Sequence, residues 1–181
     1  MTQTVQIKGA GGVQRVDGAT GGAVVVDPAA ERAGLGHAFL ATVLRQPLPL
    51  GSTSLVLVRT PPATPVHLSL TVRAGQPLIA GLFEAPTLLL DGTPITDAAN
   101  RNRGSAATPA VLLFDGPTVS AVGTTVAEQI HHGGGAGAMR LPEAGDVVLA
   151  PDADYAVGLT NRHSAPHDVS VLLDWYERLP V

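Results

Sequence analysis

The sequence predicts an all-β protein, an antiparallel β-sandwich of jelly-roll type with an extended N-terminal arm. Three observations carry this expectation. From residue 35 onward, short apolar runs recur between Gly, Pro, Asn and Asp turns, as in a sandwich or barrel. Several runs alternate apolar and polar residues with a period of two. The 15 prolines and many β-branched residues leave little room for a long helix.

Residues 1–34 read as the arm. They are rich in Gly, Ala and Val, hold short extended pieces at Thr4–Ile7 and Ala23–Val26, and have little to anchor a core of their own. Residues 35–181 read as the sandwich domain. Its first run, Ala38–Leu44, ends at QPLPLGS. Leu55–Arg59 is apolar on both parities up to the arginine and reads as a strand buried on two faces. Prolines 61, 62 and 65 close it. Val66, Leu68, Leu70 and Val72 alternate with His67, Ser69 and Thr71, a strand with one wet face. Leu78–Phe83, Val111–Phe114, Val147–Ala150, Tyr155–Thr160 and Val169–Trp175 complete the set, the last two read as a closing β-hairpin. Pro28–Ala33 and Thr125–His131 are the only segments suited to short helices.

One internal echo has a fixed offset. Phe83-Glu84-Ala85-Pro86-Thr87 is followed by Gly92-Thr93, and Phe114-Asp115-Gly116-Pro117-Thr118 by Gly123-Thr124. The matching positions differ by 31 (114 − 83, 123 − 92). Each copy reads as a strand ending on Phe, an acidic step, a Pro-Thr corner and a Gly turn, and points to hairpin architecture.

Composition excludes several functions. The chain has no cysteine, so disulfides, thiolate catalysis and Cys-ligated zinc are out. The formal net charge is −4 with one lysine, Lys8, and no basic stripe, which argues against direct nucleic-acid binding. No apolar run approaches the roughly 20 residues of a membrane-spanning helix. The opening MTQTVQIKGAGG lacks the apolar stretch of a signal peptide, which predicts synthesis in the cytoplasm. Only 14% of residues are charged against 45% apolar. Such a surface suits coverage by neighbouring subunits, although a small-residue compositional bias gives the same numbers.

No pattern of catalytic residues emerges, so the chain is expected not to be an enzyme and to need no cofactor. His131-His132 precedes a glycine run, and His163 and His167 flank a turn, where with Asp168 they would form a facial ligand set. A jelly-roll metalloenzyme built on these histidines is therefore one alternative, but no His-x-His or His-Glu-x-x-His spacing supports it, and a polar turn containing histidines explains them as well. Ser164 has no nucleophile-elbow context. The glycines at 133–137 lack the Lys-Ser/Thr of a phosphate loop. Glu84, Asp91, Asp97 and Asp115 lie near turns with nothing to pair them as glycosidase carboxylates.

Two clusters stand out as contact candidates. Asn100-Arg101-Asn102-Arg103-Gly104-Ser105 is the most polar stretch, and its amides and guanidiniums suit a lock on a subunit contact or simply a solvated turn. At the C-terminal end, Trp175 and Tyr176 point to opposite faces, one able to seal the core and the other to face a partner.

Several motifs together resemble a known family. They are Tyr155, Leu159-Thr160-Asn161, Val169-Ser170-Val171 and Asp174-Trp175-Tyr176-Glu177, with the two Pro-Thr…Gly-Thr units and Asn100-x-Asn102-Arg103-x-Ser105 between them. Over roughly residues 55–177 this pattern resembles small head decoration proteins, also called cement or auxiliary capsid proteins, of tailed bacteriophages. The resemblance implies a β-sandwich on the capsid exterior, a homotrimer or other homo-oligomer, the major capsid protein as partner, and no catalytic residues. The expected assembly contacts are Val5, Ile7, Val24 and Val26 in the arm, Asn100, Asn102 and Arg103 in the polar loop, and Trp175 and Tyr176. A receptor- or carbohydrate-binding virion module, such as a head fibre or tail tip, is the other structural expectation.

Overall fold

Strand pairing in the computed structural model accounts for almost every apolar run. The structure describes residues 8–9, 12–16, 23–26, 33–133, 137–143 and 145–177. Strands β1 (Lys8–Gly9), β2 (Gly12–Val16) and β3 (Ala23–Val26) form a three-stranded antiparallel sheet that, among the described residues, pairs with no other sheet. The register sets Val13 opposite Val26 and Arg15 opposite Val24. The predicted strand at Thr4–Ile7 and most of the predicted helix at Pro28–Ala33 lie outside the described residues.

The domain proper holds two larger antiparallel sheets. The first runs β10 (Ala99–Asn100), β4 (Ala38–Leu48), β17 (His167–Glu177), β6 (Val66–Ala74), β14 (Ala138–Leu141), with β15 (Val147–Leu149) also on β6. Strands β14 and β15 are one edge strand interrupted at Pro142. The second sheet runs β13 (Thr124–His131), β7 (Leu78–Glu84), β16 (Asp154–Asn161), β5 (Thr53–Arg59), β11 (Leu112–Asp115), β9 (Thr93–Ile95). The last two strands, β8 (Thr87–Leu90) and β12 (Thr118–Ala121), pair only with each other. With residues 85–123 set aside, β4 lies beside β17 and β5 beside β16, and the chain passes from sheet to sheet. This is the jelly-roll order.

Two expectations are corrected here. The C-terminal strands are not a hairpin, because β16 belongs to the second sheet and β17 to the first. The chain crosses the sandwich between them. The segment Thr125–His131 is not helical but part of β13, paired with β7 from Thr124 opposite Glu84 to His131 opposite Leu78. Its β-branched residues and the open edge of β7 favour a strand.

The core is filled by alternate residues of both sheets, including Phe39, Leu68, Leu70, Leu173 and Trp175 from the first and Val56, Leu82, Val157 and Leu159 from the second. The Phe39 and Trp175 rings stack 5.8 Å apart on neighbouring strands. At the end of the core, Asn161 is fully buried and its side-chain amide donates to the carbonyls of Leu48 and Ala165. A buried amide is tolerated because both donors are satisfied.

The 31-residue echo is a local two-fold arrangement. From the end of β7, strand β8 crosses to β9, which pairs with β11. From the end of β11, strand β12 crosses the other way to β13, which pairs with β7. Each unit therefore completes its sheet edge on the other unit. The equivalences extend to single atoms: Ala85 N–H donates to the Asp154 carbonyl at 3.0 Å, and Gly116 N–H to the Leu55 carbonyl at 3.1 Å. Ala85 and Gly116 both have left-handed φ, 54° and 63°, and Gly92 and Gly123 both have φ of 96°. A Cβ on Gly92 would overlap the Asp115 carbonyl oxygen, and one on Gly123 the Glu84 carbonyl oxygen.

The crossing strands form a ribbon over the outside of the second sheet. Strand alternation turns Leu57 and Ala156 away from the sandwich core, yet both are fully buried. They lie on the face the ribbon crosses, in line with Phe83 and Phe114 on the neighbouring strands, which is why Leu55–Val58 shows no polar alternation.

The local symmetry sets a matched test. Gly92→Ala and Gly123→Ala should each lower urea-unfolding stability by more than about 1 kcal/mol, because the backbone must move as well as adopt a disfavoured φ. Ala85→Gly should be neutral or gain up to about 1 kcal/mol by relieving left-handed φ. A neutral glycine variant at either position would contradict the close approach.

Candidate assembly surface

Ion pairs and a buried tyrosine fasten the ribbon to the sheet. Arg59, at the end of β5, holds two carboxylates at once. Its Nε and Nη2 donate to Asp154 at 2.8 and 3.0 Å, and its Nη1 and Nη2 to Asp91, in the β8–β9 turn, at 2.9 and 3.1 Å. The guanidinium also lies 5.4 Å from the Phe114 ring centre. Hydrogen bonds from Arg59 hold the Asp91 carboxyl below its usual range, and those carboxylates keep the guanidinium firmly protonated. On the opposite unit, Tyr155 accepts the Ala150 N–H at 2.9 Å and donates to Glu84 at 3.0 Å. Burial raises the Tyr155 hydroxyl above its ordinary pKa. Asp115, the counterpart of Glu84, pairs with Arg45, which also donates to Ser54. Three of the four turn carboxylates that the sequence left unpaired are thus fasteners of the ribbon.

What the fasteners present to solvent is apolar. Leu88 and Val119 are half-buried and Pro86 and Pro117 buried, while Leu89 and Leu90 are 63% and 67% exposed. Leu112 on β11, Val122 after β12, and Val126 and Ile130 on β13 are exposed on or beside the same side of the molecule. The ribbon strands carry no charge, and Asp91 beyond them is ion-paired with Arg59, which it shares with Asp154. These exposed apolar side chains make this side of the molecule the candidate surface.

The residues named from sequence fall in different places. Val5 and Ile7 lie outside the described residues. Val24 and Val26 lie in β3, where they are paired with Arg15 and Val13. Asn100 and Asn102 bind their own chain. Asn100 donates to the Gly36 and Ala107 carbonyls and accepts the Asn102 N–H, and Asn102 donates to the Gly34 carbonyl and accepts the Gly104 N–H. Their lock is internal and ties the 34–36 segment to the 100–107 loop. Arg103 is exposed and makes no ion pair among the described residues. Trp175 is 1% exposed, so it is a core residue and offers no surface to a neighbour. Its indole donates to Glu177, whose carboxylate also accepts the N–H groups of Ala110 and Val111. Tyr176 sits on the outer face of the first sheet, stacked on His67 with centres 4.3 Å apart. Beside it Asp174 faces Arg101 at 3.4 Å, and burial raises its carboxyl above the ordinary range.

The histidines do not converge. His163 and His167 meet edge to face at 6.1 Å, but Asp168 follows His167 in β17 and turns to the opposite side, where it lines an open groove. Among the described residues no three His, Asp or Glu side chains are placed to hold a metal ion. His131 accepts the Gly133 N–H on Nδ1 and lies 3.2 Å from the Gly137 carbonyl through Nε2, bracketing the glycine turn. Both ring nitrogens of His167 are buried without a hydrogen-bond partner among the described residues. Among the described residues no helix is long and apolar enough to cross a membrane.

No protein-family model, curated protein or solved structure matches this chain. The ribbon itself had a signal in the sequence, the repeated Pro-Thr and Gly-Thr corners. Its leucines, 88–90, form a run that alternation alone does not assign to either face.

Two outcomes follow. Because Asp91 is held low in the folded protein, its contribution to stability is complete above the ordinary aspartate range and is lost as pH falls through the lowered value. Arg59→Met should therefore reduce the thermal midpoint at neutral pH and by less in acid. An equal loss at both would rule out the ion pair as the cause. His167→Leu removes two unsatisfied buried nitrogens and should be neutral or stabilising by about 1–2 kcal/mol in urea unfolding; a clear loss would mean that the ring has a partner.

Proposed function

We propose that this chain is a virion structural protein, a decoration (cement) protein that binds the major capsid protein on the exterior of a tailed-bacteriophage head and stabilises the shell through subunit contacts. It would be made in the host cytoplasm and join the particle there. The observation that carries this reading is the charge-free ribbon on the outside of the second sheet, with Leu89 and Leu90 standing in solvent. A fold has no internal reason to present two adjacent leucines on an added layer, and burial at a contact supplies one. The resemblance of residues 55–177 to decoration proteins supports the same reading. Repetition of the contact over a shell would add avidity to a modest single-site affinity.

The alternative, a receptor- or carbohydrate-binding virion module, is favoured by a different feature. An open groove of about 420 Å³ on the outer face of the first sheet is lined by Gln46, Arg73, Asp168 and Ser170 beside Leu44. Binding of the purified protein to a glycan array with loss in Arg73→Ala would support that role.

The decoration reading is tested by co-sedimentation with assembled shells of the same virus that lack this protein. The double variant Leu89→Asp, Leu90→Asp should bind at least about tenfold more weakly, since packed apolar anchors dominate such contacts. Arg103→Ala should weaken binding only if the polar loop also touches the shell. Undiminished occupancy by the folded double variant would remove the ribbon as the contact.

A further inference from the structure

Four strand edges bound the two large sheets, and three are blunted. The first sheet ends on β10, two residues long, and on β14 and β15, interrupted at Pro142. One edge of the second sheet is β9, three residues long with Pro94 at its centre. Short strands and prolines are the usual means of preventing edge-to-edge pairing. The fourth edge, β13, has eight residues, TTVAEQIH, without proline, lysine or arginine. It pairs only with β7 among the described strands, and Thr124, Thr125, Val126, Glu128 and Ile130 are exposed along it. Its one irregularity is a bulge between Thr125 and Ala127.

We propose that β13 joins two copies of this chain by antiparallel strand addition, fusing their second sheets edge to edge. Antiparallel self-pairing is two-fold symmetric, so one strand supplies both halves of the contact. The dyad stands normal to the sheet and leaves both ribbons on the same side. Two copies would then present their two Leu89–Leu90 patches on one side of the dimer. In the register centred on Glu128, Val126 of each copy lies opposite Ile130 of the other, two apolar cross-strand pairs. In that register the two Glu128 carboxylates face each other, and one centred on Ala127 keeps them close. No ion pair of Glu128 exists among the described residues to offset this. The dimer is therefore held by backbone and apolar contacts against one like-charge opposition.

The inference goes beyond the decoration reading and stands without it, because it concerns the free protein. Sedimentation equilibrium of the full chain from micromolar to millimolar concentration should show a monomer–dimer equilibrium. Glu128→Gln should tighten it roughly two- to fivefold by removing the like-charge pair. Ile130→Lys should weaken it by more than about tenfold, by placing a charge on the edge; Val126→Lys serves if that variant does not fold. In the wild-type chain, amide exchange of β13 should slow as concentration rises. A folded chain that stays monomeric throughout, or a dimer indifferent to Ile130→Lys and Val126→Lys, overturns the proposal. Shell binding is read separately through the Leu89, Leu90 variant, so failure of decoration and failure of dimerisation are distinguishable.

Discussion

The structure depends on covering the outside of its second sheet. A jelly roll needs only the inner faces of its sheets to be apolar. Here Leu57 and Ala156, at the centre of the second sheet, are apolar on the outer face as well and fully removed from water. That leaves a strip of sheet that must be roofed. The insertion between β7 and β13 supplies the roof, two strands that pair with each other across the strip. The adjoining positions conform to it: Phe83 lies close to Gly81 and Gly158, where a Cβ would leave no room for its ring. The ribbon is therefore integral to the fold.

The roof's geometry explains why its polar fasteners are carboxylates near turns. At each crossing the chain leaves a strand in left-handed φ and turns over the sheet, with a carboxylate at the corner. Glu84 and Asp115 occupy the same step in the two units and are taken up by different partners, a tyrosine hydroxyl and an arginine. Arg59 adds the third fastener and holds the far end of the first crossing to β16. Because it binds two carboxylates with four donors, a lysine would not replace it. These groups looked like unpaired acids in the sequence because their partners lie 32 to 71 residues away along the chain.

Much of the fold was legible in the sequence, and what was not was non-local. Val66–Val72 alternates as a strand with one buried face should, and its register with β17 keeps that parity. The doubly apolar Leu55–Val58 signalled burial on both faces but could not say by what. The Phe-acid-x-Pro-Thr echo marked two equivalent corners, yet a corner between two strands reads the same whether the chain turns back into a hairpin or crosses to another sheet. The same ambiguity produced a hairpin from Tyr155–Trp175, where the chain in fact changes sheet. Thr125–His131 was open to a helix because an exposed edge strand need not alternate cleanly. Among the contact candidates, type and exposure diverged. Trp175 had the size of an interface anchor but the parity of the core face of β17. Asn100 and Asn102 had the chemistry of a lock whose targets, Gly34 and Gly36, proved to be in their own chain.

The two-fold relation between the crossings is a relation of backbone, and the side chains break it. At the inner positions the copies agree: Pro86 and Pro117 are buried, and Leu88 and Val119 are half-buried. At the outer positions they differ, with Leu89 and Leu90 in one crossing and Ser120 and Ala121 in the other. Covering the sheet constrains only the inner set, which explains the agreement. Among the described residues nothing packs on the outer set to constrain it, so the two crossings are free to differ there. A docking partner would meet the leucines as an off-centre apolar ridge flanked by small polar residues, which fixes orientation as well as adding affinity. A symmetric ridge would bind equally in two orientations related by the local dyad, and on an ordered shell only one of them would be useful.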